Sequence, residues 1–166
     1  LLRHADHAMY QAKLAGKNRY QLFDASVDQL TIDHNAQLRE IEAAFEDRQF
    51  CLYFQPKVNI KTGRVTGVEA LIRWLHPQRG MVAPLDFLPV LASTELEIRI
   101  GNWVIETAWQ QLAAWHRQGL LLEVSVNISA YHLLWSGFTG YLESVMAGAP
   151  EITSHYFQLE ILESTA

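Results

Sequence analysis

The chain carries one cysteine in 166 residues, Cys51, so no intrachain disulfide can form and a reducing, cytoplasmic location is expected. Apolar runs are short. Stretches such as "GLLLE" and "MVAPL" fall far below the roughly 20 apolar residues of a membrane-spanning helix, so no membrane contact is expected from this segment. The start shows no charged, then apolar, then small-residue leader. A formal charge of −5 without any block of lysine or arginine argues against a nucleic-acid polymer as partner. A small anionic ligand needs only one or two placed cations and stays open. The seven histidines lack zinc-type spacing, and His4 and His7, one turn apart, read as an exposed helix face. No internal repeat or low-complexity segment is present.

What remains is a composition 49% apolar and 11% aromatic, enough for one globular core. "HADHAMYQAKLA", closed by Gly16, reads as a short amphipathic helix, and "NRYQLF" alternates as a strand does. "DASVDQLTIDHN" is polar enough for a linker, with Asp33 a candidate N-cap for a helix bearing Leu38, Ile41 and Phe45 and ending near Arg48. Beyond it, "FCLYFQPKVNI" and "RVTGVEALIRW" flank "KTG" as an antiparallel hairpin. "GNWVIETAWQQLAAWHRQG" predicts a long helix with Ile100, Val104, Ala108, Leu112 and Trp115 in one stripe and Gly119 as its cap. Trp109 lies off that stripe, and packing against a neighbouring helix is the expectation for it. "EVSVNIS" and "YFQLEIL" are further strands separated by the helical "GFTGYLESVMAG". Strands alternating with helices point to a largely parallel sheet, open or part of a barrel.

Side chains alternate across a strand, so each strand has two faces. Val68, Ala70, Ile72 and Trp74 share one, as do Val124, Val126 and Ile128, and Phe157, Leu159 and Ile161. The opposite faces carry Glu69, Leu71 and Arg73, then Ser125, Asn127 and Ser129, then Gln158 and Glu160, with Tyr53, Gln55 and Lys57 as candidates from the first strand. A solvated face of an antiparallel sheet would explain such alternation without any function, but connecting helices imply parallel strands, which are covered on both sides. Buried carboxylates are expected to be paired or to bind metal. Arg73 could neutralise Glu69 as a plain ion pair. Carboxylate and amide oxygens without sulfur or histidine suit Mg2+ or Mn2+, and a guanidinium suits phosphate, so metal-assisted cleavage of a phosphate ester is the favoured reaction class.

The segments "YFQPKVNIKTGRVTGVEALIRWLHPQRG", "LDFLP", "GNWVIETA", "SVNISA" and "QLEILEST" resemble, in order and spacing, the EAL domain, the bacterial phosphodiesterase that hydrolyses cyclic di-GMP to linear pGpG. The opening stretch "LLRHADHAMYQAKLAGKNRYQLF" resembles the C-terminal end of a GGDEF domain, the diguanylate cyclase module. The implied organisation is a GGDEF remnant over residues 1–24, a linker over 25–35 and the N-terminal half of an EAL domain over 36–166. The implied fold is α/β, a partial (β/α)8 TIM-like barrel whose first strand is antiparallel.

By the resemblance, Glu69, Asn127 and Glu160 are metal ligands in a site completed by a second metal, while Gln55, Leu71 and Arg73 contact cyclic di-GMP. Glu163 supports a neighbouring loop. The family's later Asp-Asp pair, lysine, glutamate and glutamine do not occur before Ala166, so these residues alone are expected to be inactive and the parent protein to be the enzyme. A dimer through the EAL domain is a compatible assembly, and a catalytically silent cyclic di-GMP receptor is the alternative. Tyr131, where arginine is common, and "STELEI", in place of an acidic glycine-containing turn, depart from the pattern at peripheral positions.

Overall fold

A computed structural model describes residues 25–162, with side chains described for 29–161. The expected helix over residues 4–15, the strand at "NRYQLF" and Glu163 lie outside the described residues. The chain divides into two compact units, residues 1–39 and 40–166.

The first described element is α1 (Ala25–Glu46), which makes residues 25–35 helical throughout. Polarity suggested a linker there, but the span contains neither glycine nor proline to interrupt a helix. Asp33 is therefore no N-cap. It accepts from Gln29 Nε2 at 2.8 Å one turn earlier, while Asn35 Nδ2 returns to the Thr31 carbonyl. The helix stops at Glu46, and Arg48 at φ 56° turns the chain toward the sheet.

In the second unit β1 (Phe50–Val58) pairs antiparallel with β2 (Val65–His76), as the hairpin reading required. A short β3 (Gly80–Val82) adds to the far end of β2. After α2 (Leu88–Leu91) comes α3 (Glu95–Arg117), then β4 (Glu123–Ser129), α4 (Ala130–Leu133), α5 (Phe138–Ala147) and β5 (Phe157–Leu162). Strands β2, β4 and β5 are parallel, in the order β1-β2-β4-β5.

The long helix begins six residues before the predicted glycine. Ser93 adopts φ 61°, the left-handed region where glycine is least strained, and Thr94 then caps the helix by accepting from the Glu97 amide at 3.2 Å. Glu97 answers by accepting from the Ser93 amide at 2.7 Å, a reciprocal arrangement close to a capping box. At the other end the cap is Gln118, one residue before the predicted Gly119, which follows in the left-handed region at φ 81°.

The core lies between α3 and the sheet. Val68, Ala70, Ile72, Trp74, Val124, Val126 and Ile128 are buried from the strands, and Ile100, Val104, Ala108 and Leu112 from the helix. Trp109 is buried too, with its ring edge-on to Phe157 of β5 at 5.5 Å. Trp115 at the end of the stripe meets Phe54 in the same geometry at 4.9 Å.

Candidate functional site

Register fixes which side chains share the face away from α3. Gln55 lies opposite Glu69, Tyr53 opposite Leu71 and Cys51 opposite Arg73. Ser125 lies beside both Glu69 and Gln158, and Asn127 beside Glu160. The alternation read from sequence therefore brings Glu69, Asn127 and Glu160 to one surface, with Gln55, Leu71 and Arg73 on the β1 side of it. Close approach of β2 to β4 depends on Gly67, because a Cβ there would stand 2.7 Å from the Glu123 carbonyl oxygen.

Two contacts organise the face. Asn127 Nδ2 donates to Glu69 Oε1 at 2.6 Å. Lys57 Nζ meets Glu160 Oε1 at 2.5 Å, although β1 and β5 stand at opposite ends of the four-strand path. A flat sheet would separate those strands by about three spacings of 4.8 Å, so the sheet must curl around this face as a barrel wall does. The Lys57 hydrogen bond holds the Glu160 carboxyl below its ordinary range. The nearby Ser125 hydroxyl also favours the carboxylate, yet it is 1% exposed and makes no hydrogen bond of ordinary geometry.

Arg73 does not pair with Glu69. Its Nη1 donates to the Ile72 carbonyl at 2.8 Å and its guanidinium lies 5.9 Å from the centre of the Tyr53 ring. The plain ion-pair explanation for two charges in one strand therefore fails among the described residues. Glu69 and Asn127 are half-buried, whereas Gln55 is exposed. Burial pushes the Cys51 thiol up despite the opposing charge of Arg73.

Among the described residues no three His, Cys, Asp or Glu side chains converge as a metal cage. The donor set is instead two carboxylates and an amide on neighbouring strands. Half a turn of the Asn127 amide would present Oδ1 to the space now facing Nδ2. These oxygens fit a hard divalent cation better than zinc.

Just past Asn127, sequence reading missed a buried polar network. His132 Nε2 lies 2.8 Å from Asn102 Oδ1, the His132 amide donates to Ser129 Oγ at 3.1 Å, and Tyr141 Oη donates to the Asn102 carbonyl at 2.8 Å. Gly101, which looks like a helix break in sequence, is where the His132 ring rests against α3, leaving no room for a Cβ. The signal available was a histidine three residues after the strand "VSVNIS", without spacing to any partner.

Burial depresses the His132 pKa below the ordinary 6.5, outweighing attraction from Glu97. A proton thus prefers the unfolded chain, so this stability is present above the ordinary value and lost as pH falls through the depressed one. Denaturant midpoints compared between about pH 7.5 and 5.5 should fall toward acid, and His132→Gln should flatten that dependence. An unchanged slope in the variant would count against the assignment.

A cavity of about 340 Å³ lies away from this face, between α3 and α5, where Trp109 and Tyr141 line it. Burial, aided by Glu106, pushes the Tyr141 hydroxyl up to about 12. None of the predicted site residues that are described reaches that cavity.

The EAL-domain family model matches residues 38–166. A bifunctional diguanylate cyclase/cyclic di-GMP phosphodiesterase, MucR of Pseudomonas aeruginosa, is 37% identical over 167 residues, covering 100% of this chain and 24% of that protein. The cyclic di-GMP phosphodiesterase PdeR of Escherichia coli is 37% identical over 133 residues, 80% of this chain and 20% of its own length. The chain thus spans a quarter or less of these relatives. Among solved structures, a PaMucR phosphodiesterase–c-di-GMP complex superposes with TM-score 0.73 at 36% identity, covering 79% of this chain and 53% of that one. The cAMP-bound EAL enzyme Bd1971 gives 0.75 at 29% identity, with 83% and 42% covered. No described helix is long and apolar enough to cross a membrane.

Proposed function

The chain belongs to the EAL-domain family, and from that premise we propose that the complete protein is a cyclic di-GMP phosphodiesterase producing pGpG, with Glu69, Asn127 and Glu160 holding a divalent cation. The observation that carries this reading is the gathering of those three side chains on the curled face, with Asn127 bonded to Glu69 at 2.6 Å. When bound, Mg2+ or Mn2+ would polarise a phosphoryl oxygen and acidify an attacking water.

The chain's own residues do the rest of what this segment contributes. Glu69 and Glu160 would offer carboxylate oxygens to the cation, and Asn127, turned about its amide, an amide oxygen. Arg73, steadied by the Ile72 carbonyl and the Tyr53 ring, offers its remaining N–H groups to a phosphate as a planar fork. Gln55 and Leu71 line the nucleotide's path beside it, and Glu163, by the family likeness alone, is assigned to support of a neighbouring loop. Residues 1–24 are assigned to a preceding cyclase-type domain, a reading supported by a match to a bifunctional relative that runs through the whole of this chain and 24% of that protein. Residues 36–166 form the EAL portion, and the intervening segment is a helical connector. A cytoplasmic location and a dimer through the EAL portion complete the proposal.

The test is conversion of cyclic di-GMP to pGpG by the complete protein with Mg2+ or Mn2+, followed by chromatography. Tight binding without turnover would replace the enzyme by a receptor. Arg73→Ala should weaken nucleotide retention by about 1.5–3 kcal/mol, the value of a hydrogen bond to a charged group, or roughly 10- to 150-fold in Kd. Equal affinity in that variant would remove Arg73 from the phosphate site.

A further inference from the structure

Lys57 has no role in the reading above, yet it makes the one contact that spans the curled face from end strand to end strand among the described residues. Two local features aim it there. The β1–β2 register slips between Lys57 and Val58, and such a bulge twists a strand and redirects its side chains. Gly67, the register partner of Lys57, contributes no side chain to this face and leaves space for a lysine stem. The ammonium then ends on the oxygen of Glu160, with both side chains 41% exposed, where bulk solvent could have satisfied either group.

We propose that Lys57 is the resident cation of the metal-free site, occupying Glu160 Oε1 and competing with the divalent ion for that carboxylate. This rests on the assignment of Glu160 as a metal ligand under the proposed function. The ammonium keeps Glu160 directed across the face, beside its register neighbour Asn127. A dication approaching Glu160 must displace the ammonium or share the carboxylate with it, one oxygen each. Either way it meets a like charge. Lys57 is thus a positioning residue that weakens metal affinity while keeping its ligand in place.

The experiment is a calorimetric titration of Mn2+, without nucleotide, into the complete protein and its variants. Lys57→Gln should tighten Mn2+ binding about three- to tenfold, because one like charge several ångströms away is removed. Lys57→Arg, which keeps the charge, should retain the wild-type affinity. Both positions are solvent-accessible, and a thermal melt of each metal-free variant verifies folding. Unchanged or weaker Mn2+ binding by a folded Lys57→Gln protein overturns the proposal, as does a tightened site in Lys57→Arg. If Mn2+ binds and Glu69→Ala abolishes it while Lys57→Gln changes nothing, this inference alone fails. If the wild-type protein takes up no Mn2+, the metal assignment fails with it.

Discussion

Glu69→Ala should reduce conversion of cyclic di-GMP to pGpG by the complete protein about 10³-fold or more, the loss of several kcal/mol of stabilisation at a charged centre. The substitution should leave the fold intact. Glu69 is half-buried on the concave face, while its strand is secured from the other side by Val68, Ala70, Ile72 and Trp74, all buried. What changes locally is the loss of the acceptor for Asn127 Nδ2, which frees the amide and removes one of two carboxylates from the donor set. Glu69→Gln separates those consequences. It retains an oxygen at the 2.6 Å contact but not the charge, so a similar loss in both variants would assign the effect to the carboxylate as ligand. A steady-state assay with saturating metal, together with far-UV circular dichroism of each variant, checks the result. Turnover within a few-fold of wild type would sink the metal assignment.

Strand parity is why the site could be read so far from sequence. A period of two in "VEALIRW", "VSVNIS" and "FQLEIL" decides which residues face the helices, and it puts Glu69, Asn127 and Glu160 together on the opposite face. Pairwise contacts depend on more. That Lys57 meets Glu160 follows from the curl of the whole sheet and from a register slip, neither of which a local pattern encodes. That Arg73 turns to the Tyr53 ring and away from Glu69 depends on its rotamer. Helix limits failed where one residue type has two uses. Gly101 resembles a break but makes room for His132, so the Thr94 cap upstream went unread. Residues 25–35 are polar like a linker but carry no helix breaker, and polarity alone does not end a helix.

Trp74→Ala should cost about 3–5 kcal/mol of stability, in the range for truncating a buried aromatic to a methyl. Trp74 is 2% exposed, and its ring stands 5.6 Å from Phe50 and 5.8 Å from Phe87. Its indole N–H donates to Gln49 Oε1 at 3.0 Å, and the Arg79 guanidinium covers it at 4.9 Å. Truncation would leave a cavity between β2 and the segment around Phe87 while stranding the Gln49 carbonyl, so collapse of the neighbours can recover little. A denaturant midpoint followed by far-UV circular dichroism is the measurement, since with 5 tryptophans fluorescence would mix several sites. Trp74→Phe, which keeps a ring in place, should lose less than half as much. The comparison with Arg73→Ala then tests the division of labour along β2. These neighbours point to opposite faces, so Trp74→Ala should lower stability while any folded fraction keeps its nucleotide affinity, and Arg73→Ala should do the reverse. Loss of both properties in both variants would mean that the strand's two faces are energetically coupled, and that the site cannot be altered independently of the core that carries it.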